Sequence, residues 1–185
     1  MRAFSSMILR PTPIAGAFVA EVEPLRDERG LFARTFDREL FAEHGLAPDV
    51  VQASVSYNAR AGTLRGMHYQ AQPHGEEKLV RCTRGALYDV ALDLRADSPT
   101  YLRWFGLSLS AESGAALFIP EGCAHGFQTL EDSTEILYQI SSPYVADAAR
   151  GVRWDDPAFG IDWPAAPVAG RTMSLRDAGY PDFAP

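Results

Sequence analysis

The chain alternates between apolar and polar residues along most of its middle part. In "ALYDVALDLR", residues 86–95, one parity carries Tyr88, Val90, Leu92 and Leu94, and the other carries Asp89, Asp93 and Arg95. A period of two predicts a half-buried β-strand, with the three charged residues forming structural charge pairs on its polar face. The segments "YLRWFGLSLS", "ALFIP" and "TEILYQISS" repeat this pattern, and short stretches with Gly, Pro, Asp or Ser separate them.

One early segment has a helical pattern instead. In "DRELFAEHG", residues 37–45, Asp37 can cap the start, Leu40, Phe41 and His44 share a face, and Gly45 can close the end. From about residue 143 the sequence predicts loops and short helices, because "DDPAFGIDWPAAPVAG" is too rich in Pro and Gly for a long element. Many short strands with one early helix predict a mainly β fold, either a sandwich or a barrel.

Length and composition place the chain among ordinary folded proteins. Its 185 residues fit one domain and are 46% hydrophobic and 22% charged. A net charge of −7 argues against sequence-independent nucleic-acid binding, although a few local arginines could still bind one phosphorylated ligand. Two cysteines are too few for a disulfide framework, and the first twenty residues lack a long apolar stretch. We therefore expect a cytoplasmic protein without a signal peptide or membrane anchor.

A spaced motif in the second half of the strand-rich region narrows the fold class. Gly114, Pro120, Gly122 and His125 are separated by five, one and two residues. This spacing resembles the second motif of the cupin superfamily, whose members are double-stranded β-helix (jelly-roll) barrels with a site in the barrel mouth. Pro120 and Gly122 suit a tight turn that delivers the next strand, so that His125 is aimed into the barrel.

The first cupin motif is present without its usual metal ligands. Lys78 and Gly85 keep the end of the motif, but Lys78 stands where the family has a glutamate ligand. His68 and Gln70 stand where a metal site needs two histidines. Together with His125 this leaves two good ligands, whereas a catalytic metal usually has three, and an ammonium group repels a divalent ion. We therefore predict a site without metal.

A histidine and a lysine in a barrel mouth suit proton chemistry next to a ketone. A neutral imidazole can remove a proton near neutral pH, and an ammonium group can stabilise the resulting enolate oxygen. We predict His68 as the base, Lys78 as the stabilising cation, and Tyr138 as an acid that returns a proton to the opposite face. Taken alone, Lys78 could be an exposed strand charge and Tyr138 a core aromatic residue.

An ordered set of short stretches resembles the dTDP-4-dehydrorhamnose 3,5-epimerase family over nearly the full length. These stretches are "DERGLF", "GTLRGMHYQ", "EEKLVRCTRGALYDVALDLRADSPTY", "FIPEGCAHGFQTLED", "YVADAARGVRWDDPAFGIDWP" and "MSLRD". Each stretch is weak by itself, and the ordered set is specific. The resemblance implies epimerisation of a nucleoside-diphosphate 4-keto-6-deoxyhexose, with dTDP as the expected nucleotide and without metal or organic cofactor.

The resemblance also implies roles for individual residues. His68 would be the base and Asp177 its carboxylate partner, although Asp177 could instead cap a short helix. Lys78 and Tyr138 would act as described, while Gln52, Arg65 and His125 would line the sugar and diphosphate site. Arg29 and Phe32 would reach across a dimer interface toward the nucleotide, which implies a homodimer with exchanged N-terminal arms. The single domain would comprise an arm (about 1–50), a barrel (about 51–142) and a C-terminal region (about 143–185).

The chain departs from the family pattern in three places, of which the first two bear on the ligand rather than on the proton chemistry. Arg34 replaces a glutamate near the nucleotide, and Ser54 replaces a common asparagine in a segment that is one residue longer. The stretch before "MSLRD" is also about two residues longer, so the pairing of His68 with Asp177 depends on the motif rather than on the spacing.

Four functions remain open at this stage. The first is inversion of both C3 and C5, and the second is inversion of one of them, or a keto-sugar isomerisation. The third is a sugar-nucleotide-binding cupin without turnover, against which the set of His68, Lys78 and Tyr138 argues. The fourth is a metal-dependent cupin, against which the ligand count argues.

Overall fold

The computed structural model describes residues 6–46 and 49–184. Residues 1–5, 47–48 and 185, which fall within the predicted N-terminal arm and C-terminal region, lie outside the described residues. A six-stranded sheet, a five-stranded sheet and a small hairpin contain the strands. The six-stranded sheet has the order β1 (Ser6–Pro11), β2 (Phe18–Glu23), β10 (Ala116–Ile119), β7 (Lys78–Arg84), β12 (Thr134–Ile140) and β5 (Gln52–Asn58). The five-stranded sheet has the order β13 (Ala149–Gly151), β6 (Leu64–Gln70), β11 (Cys123–Thr129), β8 (Ala86–Asp93) and β9 (Trp104–Ser110).

The two large sheets pack against each other and enclose the main core. Their strand pairs are antiparallel. The core between them consists of small and branched apolar side chains from both sheets, among them Val80, Cys82, Leu117 and Ile136 from one sheet and Leu87, Ala91, Leu109 and Phe127 from the other. This arrangement is the jelly-roll barrel that the cupin motif predicts, and the mainly β fold class is confirmed.

The prediction of a half-buried strand at residues 86–95 is wrong, because both faces of β8 are buried. Leu87 and Ala91 point into the core between the sheets. Val90 and Leu92, on the other face, pack against Val152 and other residues of the C-terminal segment. The sequence pattern cannot reveal this second cover, because the residues that supply it lie about sixty positions away.

The predicted helix is confirmed as α1, Arg38–Glu43. The Asp37 side chain accepts hydrogen bonds from the backbone N–H groups of Glu39 and Leu40, and thereby satisfies donors that the first turn leaves unpaired. Phe41 is fully buried against Phe118 and other residues on the outer face of the six-stranded sheet. The helix therefore closes one outer face of the barrel.

A two-stranded hairpin precedes this helix and projects from the barrel. It consists of β3 (Leu25–Asp27) and β4 (Gly30–Phe32), and both strands are exposed along their length. The preceding strands β1 and β2, which also belong to the segment predicted as an arm, form one edge of the six-stranded sheet. The hairpin thus extends from a well-packed edge of the sheet.

The C-terminal segment contains the predicted loops and short helices, together with one short strand. A 3₁₀ turn at Ala146–Ala148 leads into β13, which pairs with β6. Helix α2, Leu175–Ala178, is a single turn that Ser174 caps. Because β13 and α2 both contact β6, the end of the chain lies next to the strand that carries His68.

Candidate active site

A cavity of about 280 Å³ opens between the two sheets at one end of the barrel. The five-stranded sheet lines it with Arg65, His68, His125 and Phe127, the six-stranded sheet with Gln52, Ser54, Lys78, Tyr138 and Ile140, and loops with Glu76 and Tyr144. Six of the nine predicted site residues therefore share one cavity. Of the other three, Asp177 lies behind His68, and Arg29 and Phe32 lie on the hairpin.

His68 and Asp177 form a hydrogen-bonded pair at the wall of this cavity. The distance between His68 Nε2 and Asp177 Oδ1 is 2.8 Å, and the imidazole remains 41% exposed. Burial would raise the pKa of Asp177, but hydrogen bonds from His68, Gly66 and Ser174 outweigh this effect and lower the pKa. An ionised carboxylate at this position orients the ring. With Nε2 committed to Asp177, Nδ1 is the nitrogen that can accept a proton.

The alternative role of Asp177 as a helix cap does not match the geometry. Ser174 is the N-terminal cap of α2, and its hydroxyl accepts a hydrogen bond from the Asp177 backbone N–H at 3.0 Å. The Asp177 side chain is therefore free to bond to His68. The longer stretch before "MSLRD" does not disturb this pair.

Lys78 is almost fully buried and forms an ion pair that the sequence analysis missed. Its Nζ lies 2.7 Å from Glu76 Oε1 and 3.4 Å from the backbone carbonyl oxygen of His68. Glu76 also accepts a hydrogen bond from Gln70 Nε2 at 3.2 Å. An ammonium group has three N–H donors, so two such contacts leave one donor for a ligand oxygen. The position of Glu76 two residues before Lys78, on the same side of an extended segment, is the signal that could have identified it.

Tyr138 enters the cavity from the sheet opposite His68. Its ring packs edge-to-face against His125, with 5.8 Å between ring centroids. Burial raises the pKa of Tyr138 above its usual value, and the charge of Asp89 adds to this effect, while Arg65 opposes it. The hydroxyl is therefore protonated at neutral pH and can serve as a proton donor.

His125 forms a second histidine–carboxylate pair deeper in the barrel. Its Nε2 lies 2.6 Å from Asp89 Oδ1, and both side chains are buried. The interpretation of Asp89 as part of a polar strand face is therefore wrong, because Asp89 points into the barrel. Asp93 does form the expected charge pair, with Arg95 Nη2 at 2.8 Å from its Oδ2.

Arg65 and Gln52, which are both predicted to contact the ligand, form hydrogen bonds with different parts of the chain. Arg65 donates from Nε to Asn58 Oδ1 at 2.9 Å, which fixes one edge of the guanidinium group. Gln52 accepts from the Tyr144 backbone N–H at 2.9 Å, and so connects β5 to the loop that follows β12. Ser54, the departure from the family pattern, also faces the cavity.

Arg29 and Phe32 lie outside the cavity of their own chain. Arg29 forms an ion pair with Asp27 at 2.5 Å, and its side chain is 85% exposed. Phe32 is 63% exposed at the end of the hairpin. Arg34, the second departure, forms an ion pair with the capping residue Asp37.

The described residues contain neither a metal-binding cluster nor a membrane-spanning helix. Within residues 6–46 and 49–184, no group of three or more His, Cys, Asp or Glu side chains is arranged to hold a metal ion. Across the same ranges, no helix is long and apolar enough to cross a membrane.

Comparisons with known proteins agree with the fold. A sequence model of the family described as dTDP-4-dehydrorhamnose 3,5-epimerase matches residues 11–185. The chain is 45% identical over 170 residues to the Sinorhizobium fredii dTDP-4-dehydrorhamnose 3,5-epimerase, with 89% of this chain and 86% of that protein covered.

Two solved structures show the same similarity. The Bacillus anthracis dTDP-4-dehydrorhamnose 3,5-epimerase, with TDP and PPi bound, superposes with a TM-score of 0.91 at 37% identity, and the match covers 96% of this chain and all of that one. A 3'-monoepimerase from Streptomyces bikiniensis in complex with dTDP-quinovose superposes with a TM-score of 0.86 at 35% identity, covering 93% and 86% of the two chains.

Proposed function

Because the chain belongs to the dTDP-4-dehydrorhamnose 3,5-epimerase family, we propose that it inverts C3 and C5 of a nucleoside-diphosphate 4-keto-6-deoxyhexose. dTDP-4-dehydro-6-deoxyglucose is the expected substrate. Both carbons lie next to the C4 ketone, so that removal of either proton gives an enolate whose charge rests on one oxygen. The observation that carries this proposal is that a base and an acid approach one cavity from facing sheets.

The proposed reaction needs three groups of the chain. His68, oriented by Asp177, takes the carbon-bound proton on Nδ1. Lys78 donates a hydrogen bond to the developing enolate oxygen from a site where little water competes. Tyr138 then donates its proton to the other face of the same carbon, which inverts the centre. These steps move only protons, and the proposal therefore requires no metal or organic cofactor.

The substrate's diphosphate is expected to lie near the mouth of the cavity. Arg65 lines this cavity, and Arg176 lines two neighbouring pockets that also border His68. Guanidinium groups suit phosphate oxygens because they offer paired donors. The sequence analysis did not select Arg176, although it directly precedes Asp177 in "MSLRD".

Proton exchange with heavy water tests the proposal directly. With dTDP-4-dehydro-6-deoxyglucose in heavy water, after enough reversible turnovers for exchange to be complete, NMR should show deuterium at C3 and C5 of the product, together with inversion at both. His68→Asn should abolish exchange while dTDP still binds in calorimetry. His74→Asn is a matched control, because His74 is an exposed loop histidine outside the cavity. If the wild-type protein binds substrate and incorporates no deuterium, a binding protein without turnover is the better description.

A single-centre epimerase is the second candidate, and one similarity favours it. The Streptomyces bikiniensis protein that resembles this chain is described as a 3'-monoepimerase. The same base could serve either carbon, so the residues described above suit both reactions. Deuterium at one carbon with inversion at that carbon alone would select this candidate.

We further infer that two copies of the chain pair in solution and complete each other's sites. Leu31 and Phe32 on the hairpin and Val55 and Tyr57 on the edge strand β5 are all more than half exposed. Arg81 is buried on the outer face of the same sheet, yet its Nη1 has no hydrogen-bond partner among the described residues. Burial lowers the pKa of Arg81 to about 10. Exposed apolar side chains beside an unpaired buried donor are typical of a surface that a second subunit covers.

A further inference from the structure

The pair of His125 and Asp89 has no task in the chemistry described so far. The pair is buried, and its hydrogen bond is short, at 2.6 Å. Asp89 Oδ2 has no hydrogen-bond partner among the described residues, so the carboxylate is not neutralised by a second donor there. A buried carboxylate of this kind stabilises a positive charge on the imidazole that it contacts.

His125 also lies between the proposed base and the proposed acid. On the five-stranded sheet it is the direct cross-strand partner of His68. Directly opposed residues on antiparallel strands have Cβ atoms about 5 Å apart, close enough for a proton to pass through one water molecule. Toward the other sheet, its ring contacts the ring of Tyr138. The three side chains line the same cavity.

An enzyme that inverts two carbons must reset its base and acid between the two events. After the first inversion, His68 carries the proton taken from carbon, and Tyr138 has become a phenolate. His68 cannot remove a second proton until it loses the first. In the proposed mechanism the bound sugar lies between the two groups at this stage, so the proton on His68 needs a path around it to reach Tyr138.

We propose that His125, held by Asp89, is the relay that returns this proton from His68 to Tyr138 while the sugar stays bound. A proton leaves Nδ1 of His68 for a bridging water molecule, which passes a proton on to Nδ1 of His125, giving an imidazolium that Asp89 stabilises. The same proton then leaves Nδ1 of His125 and joins the phenolate oxygen of Tyr138. His68 and His125 end neutral and Tyr138 ends as a phenol, so that protons and charge balance. This inference rests on the proposed function, and in particular on inversion of both carbons.

Asp89→Asn is the sharpest variant, because an asparagine oxygen can still accept the hydrogen bond while the charge is lost. Single-turnover reactions, quenched and read by NMR, would follow singly and doubly inverted sugars separately. We expect the first inversion to keep its rate within about threefold, and the second to slow about 10²-fold, at the low end of effects from losing a proton-transfer group. Singly inverted sugar should then accumulate and be released. His125→Ala also removes a ring from the cavity wall, so both inversions should slow, the second more than the first, and added imidazole should restore part of the second inversion.

Asp93→Asn is the matched control. Asp93 lies on the same strand and the same side as Asp89, but its partners are Arg95, Ser98 and Thr100 rather than a cavity residue. This variant should leave the ratio of singly to doubly inverted sugar unchanged.

Three results would overturn the relay. Equal slowing of both inversions in Asp89→Asn would indicate a structural or binding role instead. An unchanged product ratio in both Asp89→Asn and His125→Ala would show that the proton returns by another route. If the wild-type protein inverts one carbon alone, there is no second inversion and the relay has no function. Absence of any inversion by the wild-type protein, in contrast, contradicts the proposed function itself.

Discussion

Tyr138 lies in surroundings that keep its hydroxyl protonated. Burial and the nearby Asp89 raise the pKa of Tyr138, so that at neutral pH this residue is an acid and not a base. His68 lines the same cavity from the other sheet, and its Nε2 is hydrogen-bonded to Asp177 Oδ1 at 2.8 Å, which leaves Nδ1 as the nitrogen for a proton from the ligand in the proposed mechanism. The surroundings of the two residues, rather than their type, suit the different roles proposed for them.

Replacing Tyr138 by phenylalanine separates proton removal from inversion. His68 can still take a proton and return it to the same face, so we expect deuterium exchange at C3 or C5 with retained configuration. Inversion should slow about 10²–10⁴-fold, the usual contribution of a positioned proton donor. NMR of the product in heavy water measures both quantities. Inversion at the wild-type rate would assign the acid role to another group.

The two cysteines should be inert in the folded protein. Burial raises the pKa of Cys123 to about 12 and also raises the pKa of Cys82. The thiolate is the reactive form, and at pH 8 very little of it exists at either position. We expect iodoacetamide to label both residues within minutes in urea but neither in the native state, as followed by mass spectrometry. Rapid labelling of native protein would indicate frequent opening of the barrel.

At the level of single elements, β8 shows what a sequence pattern can predict about a strand and what it cannot. Its period-two alternation correctly predicts a strand, and the pairing of Asp93 with Arg95 is also confirmed. The pattern wrongly predicts a solvent-facing side, because Asp89 is polar yet points into the barrel toward His125. A buried carboxylate with a distant partner has the same sequence signature as an exposed one, so the error follows from long-range contacts.

Helix α1, the His68–Asp177 pair and the Lys78–Glu76 pair differ in how far the sequence alone predicts them. The helix is predictable because its capping residue and its apolar face are local signals. The contact between His68 and Asp177, 109 positions apart, is predictable only through resemblance to a family. The pair of Lys78 and Glu76 was missed although it is local, because two adjacent charges before a strand usually indicate solvent exposure.

Asp93 anchors the loop after β8, and its loss should destabilise the barrel in a pH-dependent way. Burial would raise the pKa of Asp93, but hydrogen bonds from Arg95, Ser98 and Thr100 lower it well below the usual value. Its contribution to stability is therefore complete above the unfolded-state pKa of about 3.9 and is lost as the pH falls below that value. We expect Asp93→Asn to lower the free energy of unfolding at pH 7 by about 2–3 kcal/mol, typical of lost hydrogen bonds to a charged group.

Urea unfolding of Asp93→Asn and wild type between pH 7 and pH 3 measures this difference. The gap between the two proteins should stay constant down to about pH 4 and shrink below it. A gap that does not change with pH would assign the effect to packing rather than to charge.

At the scale of the whole molecule, the exposed hairpin is the feature that contacts within a single chain do not explain. β3 and β4 are exposed along their length and carry Arg29 and Phe32 outside the chain's own cavity. Exposed apolar side chains on a projecting hairpin lower solubility unless something covers them. Exchange of arms within a dimer would bury these side chains and bring Arg29 to a neighbouring site.

Mixing two defective subunits tests arm exchange more directly than mass measurement does. One variant would combine Arg29→Ala with Phe32→Ala, and the other would carry His68→Asn. Each should be weakly active or inactive as a homodimer. In a heterodimer purified by two different tags, the intact arm of one subunit should complete the intact barrel of the other, so that activity returns. An inactive heterodimer, or a monomer in light scattering at micromolar concentration, would contradict exchanged arms.

The origin of the two active-site walls has a consequence for stereochemistry. His68 and His125 belong to one sheet, whereas Lys78 and Tyr138 belong to the other. In the proposed mechanism, a planar enolate between these walls has the proton acceptor His68 on one side and the donor Tyr138 on the other, so that the two sheets distinguish the two faces of the sugar ring. Interchanging the acceptor and the donor would require changes on both sheets at once. A single substitution should therefore stop inversion or leave exchange with retention, rather than exchange the two faces.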